Sequence, residues 1–217
     1  MPDKHAVLSA SSSHRWLECP PSALLCSTAG DTPSEFAMQG TDAHSLCEYR
    51  LKTALGQQSK DPTENLSFFD EEMADCSDMY AQYVMEQLAA AKEKCKDPIV
   101  LIEQRLDFSK WVPQGFGTGD CVIVADETLT VIDFKYGVGI LVEAEKNPQM
   151  MCYALGALQL FDSIYDIDSV TMTIFQPRRD NVSTYTISKE ELLKWADEVL
   201  APTAQLAAKG EGEYKAG

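Results

Sequence analysis

Two apolar runs in the middle of the chain, each broken by charged residues, constrain this sequence more than any other feature. Segments 117–125 and 129–135 are rich in Val and Ile and are joined by the polar Asp126-Glu127-Thr128, the pattern of a tight β-hairpin. Asp120 stands near the start of the first run; Asp133 and Lys135 stand near the end of the second. Antiparallel pairing makes these places neighbours, on strands roughly 4.8 Å apart. Asp133 and Lys135 are two residues apart and share a face. The flanking Val131, Ile132 and Phe134 imply a buried strand. Carboxylates and an amine at the edge of a buried sheet are costly unless they pair or bind a cation. Two such carboxylates suit Mg²⁺, which takes oxygen ligands and keeps several waters. A neighbouring lysine can orient or deprotonate water and stabilise charge developing on phosphorus. Asp-x-Lys by itself is a weak motif, and a structural ion pair is the plainer reading of that spacing alone.

The rest of the chain surrounds this hairpin with alternating helices and strands. A polar start leads to a short helix near 16–25, broken by Pro20-Pro21. Thr32-Pro33-Ser34-Glu35 predicts a helix start, with Thr32 as cap, Pro33 first and Glu35 completing a capping box. That helix runs to about residue 55, with Gly56 as its stop. A polar loop over 57–66 precedes a second helix over 70–94. Strand 99–106 comes before the hairpin. Asn147-Pro148 opens a helix to about 161, and 170–176 with 183–187 read as a further strand pair. Ser188-Lys189-Glu190-Glu191 begins the last helix with another capping box, and Gly210 ends it. The expected class is α/β (α+β): a mixed central sheet flanked by helices. One domain over 1–217 is expected, with an N-terminal arm (1–31), a helical part (32–96), a β-rich core (97–187) and a C-terminal helix (188–217).

Composition narrows the possible environments. The 217 residues suffice to bury a sizeable core, and 45% hydrophobic with 24% charged residues is ordinary for a globular protein. No apolar run reaches membrane-spanning length, and the first thirteen residues lack the apolar core of a signal peptide, so a cytoplasmic protein is expected. The seven cysteines include no C-x-x-C pair, which argues against a closed zinc site, and most should be reduced core residues. A net charge of −16 counts against a nucleic-acid ligand, although metal ions in an acidic site can meet a phosphate.

Further candidates lie outside the hairpin. His44 follows Gly40 on the first long helix and has Glu48 one turn on. A glycine within a helix costs roughly 1 kcal/mol relative to Ala, which predicts close approach of another element at Gly40. Gln149 and Tyr153, at i and i+4, can face one groove, though a half-buried polar–aromatic pair is the commoner meaning of that spacing. Arg178 and Arg179 end a strand, either to meet a phosphate backbone or simply as solvated charges.

Taken in order, these pieces resemble the RecB-type branch of the PD-(D/E)XK nuclease superfamily, and among its members an uncharacterised group of phage and prophage proteins. The likeness covers most of the chain. It rests on Leu8-Ser9-Ala10-Ser11-Ser12-Ser13 with Trp16-Leu17-Glu18-Cys19-Pro20, Gly40 with His44, Glu103, Gly117-Thr118-Gly119-Asp120, Ile132-Asp133-Phe134-Lys135, and Gln149 with Tyr153. The resemblance implies a restriction-endonuclease-like core and Mg²⁺- or Mn²⁺-dependent hydrolysis of DNA phosphodiesters. His44, Asp120, Asp133 and the Phe134 backbone carbonyl would be metal ligands, and Lys135 the catalytic lysine. Glu103 would position water or a second metal, and Gln149 and Tyr153 would support the site and contact the strand. The proline of the family name is absent, since Gly119 precedes Asp120. Iron–sulphur members use one cysteine near the N-terminus and three after the last helix. Cys19-Pro20 matches the first position, but the other three are absent up to Gly217. A [4Fe–4S] cluster, which needs four thiolates, is therefore expected only in a longer form of the protein, with Cys19 as an orphaned ligand here.

The function expected from the resemblance is a deoxyribonuclease, exonucleolytic by family, acting on single- or double-stranded DNA in phage recombination or repair. The expected setting is a bacterial host cytoplasm, with phage recombination or replication proteins as partners. An inactive nuclease fold serving as a DNA-binding or scaffold module is the alternative that the acidic charge favours. A nucleotide hydrolase is disfavoured, because no G-x-x-x-x-G-K-[ST] occurs and Tyr136-Gly137-Val138-Gly139 has no phosphate-binding pattern.

Overall fold

The computed structural model describes residues 6–28 and 34–215. Helices α1 (Ser13–Glu18) and α2 (Ser22–Thr28) form the N-terminal arm, parted at Pro20-Pro21. Helix α3 (Glu35–Ala54) is capped by Ser34, whose hydroxyl accepts from the Ala37 N–H. The expected cap Thr32 and first-turn Pro33 lie outside the described residues. Gly56 takes φ +72 just past the end of α3, a conformation that suits glycine. Helix α4 (Glu71–Lys94) starts at Asp70, whose carboxylate accepts from the Met73 N–H.

Five strands follow in one mixed sheet: β1 (Ile99–Asp107), β2 (Phe116–Ala125), β3 (Thr128–Phe134), β4 (Ser169–Gln176) and β5 (Asn181–Ser188). Their spatial order is their sequence order. Only β3 and β4 are parallel, and helix α5 (Pro148–Phe161) makes the crossover between them. Asn147 caps α5 as expected, accepting from the N–H groups of Gln149 and Met150. The β2–β3 connection has two residues, Asp126 and Glu127, and Thr128 already pairs with Ala125.

The C-terminal helix differs from expectation. Ser188 and Glu191 do form the capping box, but the helix divides into α6 (Lys189–Trp195), a π turn (Ala196–Leu200) and α7 (Ala201–Lys209). Pro202 explains the break. Proline lacks an N–H and its ring crowds the carbonyl four residues back, and the wider turn ahead of it relieves both problems. Gly210, at φ +70, ends α7 against Leu24 of α2.

Helices cover both faces of the sheet. On one face α5, the C-terminal helices and the N-terminal arm bury Val122, Val124, Leu129, Val131, Met172 and Ile174. On the other, α3 and α4 bury Cys121, Ile123, Ile132, Phe134 and Phe175. This alternation slips by one residue at a single level of β1 and β2. In β2, Val122 and Val124 face the α5 side, yet so do Gly117 and Gly119, whose missing side chains would strike Tyr153 and Leu106. In β1, Ile99 and Leu101 point to the α5 side before the slip and Leu106 after it. The two slipped positions are Glu103 and Asp120. They fall opposite each other, between the Ile102–Cys121 and Gln104–Gly119 pairs. Glu103 has φ +50, in the left-handed region that non-glycine residues rarely occupy.

Candidate metal and catalytic site

The slip decides where the charged residues meet. Asp120 turns toward α3, where its Oδ1 lies 3.3 Å from His44 Nδ1. Its Oδ2 accepts from the Phe134 N–H at 2.7 Å, a bond made where β2 and β3 have parted beyond the Cys121–Ile132 pair. Glu103 joins from β1. One ligand atom from each of His44, Glu103 and Asp120 falls within 4.8 Å of the others, a spacing compatible with one bound cation. Two carboxylates and an imidazole form a donor set for Mg²⁺ or Mn²⁺, with the nitrogen favouring the softer Mn²⁺.

Asp133 keeps the alternation of β3 and points to the α5 side. Its Oδ1 accepts from Gln149 Nε2 at 3.0 Å, and Lys135 Nζ lies 2.9 Å from its Oδ2. The lysine forms an ion pair there, at an angle that leaves Oδ2 without a hydrogen-bond donor. Lys135 also donates to Gln149 Oε1, and Gln149 Nε2 reaches the Tyr153 hydroxyl at 3.3 Å. One α5 glutamine therefore holds both the carboxylate and the ammonium. The hairpin reading correctly placed Asp120 and Asp133 at one end of β2 and β3, but their side chains reach that end from opposite faces of the sheet.

The electrostatics follow this division. Burial lowers the His44 pKa, but the Asp120, Asp133 and Glu103 carboxylates outweigh it and raise the value to about 9. Burial and the charge of Asp120 push Glu103 up to about 7. Burial acts to raise Asp120, and the His44 charge with the Phe134 N–H holds it below the usual range instead. Burial pushes Asp133 up, opposed by Lys135 and reinforced by Asp120. Shifts of this kind arise both at functional sites and in structural ion-pair networks.

Other candidates occupy quieter positions. Among the described residues, nothing lies within 4 Å of a side chain placed at Gly40, so the close approach expected there does not occur among them. Glu48 turns to Lys52, one turn on along α3. Arg178 is committed to the fold: it pairs with Glu72 of α4 at 2.8 Å and stacks over Tyr136. Arg179 is exposed and donates to the Val138 carbonyl. Cys19 is buried, and its sulphur accepts from the Lys215 N–H, which brings the segment after α7 against the N-terminal arm. Among the described residues no cysteine enters a metal-binding group. The sequence reading missed Gln176, a buried side chain that bonds Gly137, Ile140 and Val142 and so fixes the loop after Lys135. A polar residue ending the apolar run 170–176 was the available signal.

Among the described residues, no helix is long and apolar enough to cross a membrane. Residues 5–217 match the family described as "Protein of unknown function (DUF2800)". Among solved structures, one titled "Crystal structure of SSO0001" is similar at 10% identity, over 82% of this chain and 91% of that chain, with a TM-score of 0.26.

Proposed function

The chain belongs to the DUF2800 family, and we propose that it is a divalent-metal-dependent nuclease hydrolysing DNA phosphodiesters. The observation that carries this reading is the meeting of two unlike half-sites, His44–Glu103–Asp120 and Asp133–Lys135–Gln149, at one end of β2 and β3. His44, Glu103 and Asp120 would hold the cation. Asp133 and the Phe134 carbonyl would be the further ligands that the resemblance implies. A cation there would supply positive charge to a phosphoryl oxygen and acidify an attacking water.

The protein's own residues do the remaining work. Lys135 carries a fixed positive charge to the reacting phosphate, opposing the negative charge that builds in the transition state. Gln149 keeps the lysine aimed and prevents Asp133 from turning away. Tyr153 closes the α5 side. Exonucleolytic action in phage DNA recombination or repair is the role the resemblance gives to such a site. An inactive nuclease-fold protein acting as a DNA-binding or scaffold module is the second reading, and the net charge of −16 favours its scaffold form over its DNA-binding form.

The test is cleavage of end-labelled linear single- and double-stranded DNA with Mn²⁺ or EDTA, beside Asp133→Ala and Lys135→Ala. Metal-dependent cleavage that both variants lose is the expected result. Cleavage surviving in both would place the site elsewhere, and no cleavage by the wild type would favour the binding module.

A further inference from the structure

The serine-rich opening of the chain plays no part in the metal site, yet it lies beside it. A cavity of about 290 Å³ opens between the N-terminal arm and the start of β2. Ser9 and Ser11 form its rim, Arg105, Phe116 and Thr118 its sheet wall, and Tyr153 its inner end. Trp16 is buried and donates its indole N–H to the Ser9 carbonyl, which fixes the rim. The Arg105 guanidinium carbon lies over the Phe116 ring, 3.6 Å from its centre. Among the described residues, no carboxylate pairs with the Arg105 guanidinium.

Tyr153 connects this cavity to the metal site. Its ring lies over Gly117, where a side chain would come within 2.7 Å of it, and its hydroxyl meets Gln149, which holds Asp133 and Lys135. One strand of nucleic acid can therefore touch both places.

We propose that this cavity binds one nucleotide of the substrate strand next to the phosphate cleaved, an assignment that rests on the nuclease reading for its link to cleavage. Arg105, with the hydroxyls of Ser9, Ser11 and Thr118, takes the phosphate of that nucleotide. The Arg105–Phe116 surface carries its base, because a stacked guanidinium and ring accept any base by its face. The Arg105 charge works against the net charge of −16, which by itself repels an anion.

The experiment uses the full chain, thymidine 5′-monophosphate as a small probe, and a single-stranded oligonucleotide. Wild type, Arg105→Ala, Arg105→Lys and the exposed-helix control Lys194→Ala are compared by calorimetric titration with the mononucleotide and by steady-state cleavage with Mn²⁺. Saturable mononucleotide binding should weaken roughly tenfold or more in Arg105→Ala, the loss of a charge-assisted contact, less in Arg105→Lys, and not in Lys194→Ala. For the oligonucleotide, Arg105→Ala should raise KM with little change in kcat. Unchanged mononucleotide affinity in Arg105→Ala, or no saturable binding to the wild type, overturns the nucleotide pocket even if cleavage proceeds. Arg105-dependent binding with no cleavage by the wild type sustains the pocket and overturns the nuclease reading instead.

Discussion

The two halves of the site handle buried charge in opposite ways. Asp133 is answered within the protein, by Lys135 and Gln149. Asp120 and Glu103 share a partial answer, His44, whose charge depends on holding a proton. Glu103 also carries a strained backbone to reach its place. The difference teaches that one half is complete as folded while the other is short of positive charge. A cation should therefore enter beside His44 rather than beside Lys135.

The largest expected effect is on cleavage, and both halves should fail alike. Asp120→Ala and Lys135→Ala should each lower kcat by roughly 10²–10³ or more, the scale of losing one transition-state charge partner. If only one half mattered, single-turnover rates would separate the two variants.

Metal response should separate the halves. Mn²⁺ should raise Tm, because it binds the folded state alone and relieves carboxylate repulsion. Asp120→Asn should abolish that gain and Glu103→Gln should shrink it, while Asp133→Asn should leave much of it. Equal loss in Asp133→Asn would mean that one cation bridges both halves, ending the contrast.

The paired half should reveal itself in stability. Lys135→Met leaves Asp133 buried without its partner and should cost roughly 1–3 kcal/mol in denaturant unfolding. Adding Asp133→Asn should recover most of this loss, since the penalty is an unanswered charge. An additive double variant would deny the pairing.

A smaller effect concerns pH. The His44 value lies above its usual 6.5, so its contribution to stability is full below pH 6.5 and disappears as pH rises through about 9. Glu103, raised from its usual 4.5 to about 7, lowers stability over an earlier window, as pH rises from 4.5 to about 7. Metal-free protein should thus lose Tm between pH 6.5 and 9, and His44→Gln should flatten the decline. A control far from both halves, Ser188→Ala, removes a helix cap and should cost about 1 kcal/mol with no change in metal response.

Much of the scaffold could be read from local chemistry. The caps Asn147 and Ser188 and the stops Gly56 and Gly210 act through hydrogen bonds and φ preferences within a few residues, so their positions were visible in the sequence. The hairpin was visible for the same reason, because alternation and a short polar turn are local. The Q-x-x-x-Y spacing placed Gln149 and Tyr153 on one face of α5, and their hydrogen bond agrees. The Gly40 expectation failed because a glycine's helix cost says nothing about what lies nearby. The Pro202 disturbance was equally local, but its remedy, a π turn, was not written in any motif.

The sequence by itself determined which charged residues enter the buried sheet and at which end, since apolar flanks and strand period fix both. Only the tertiary structure decided their partners. Strict alternation would point Asp120 and Asp133 to one face, but the shared slip at Glu103 and Asp120 sends Asp120 to His44 and leaves Asp133 to Lys135. That slip is sustained by contacts distant in sequence: Tyr153 packed on Gly117, Leu106 on Gly119, and the Phe134 N–H bound by Asp120. Side-chain period is a property of one strand, whereas the face a residue finally uses is set by what the neighbouring strand and helices press against it.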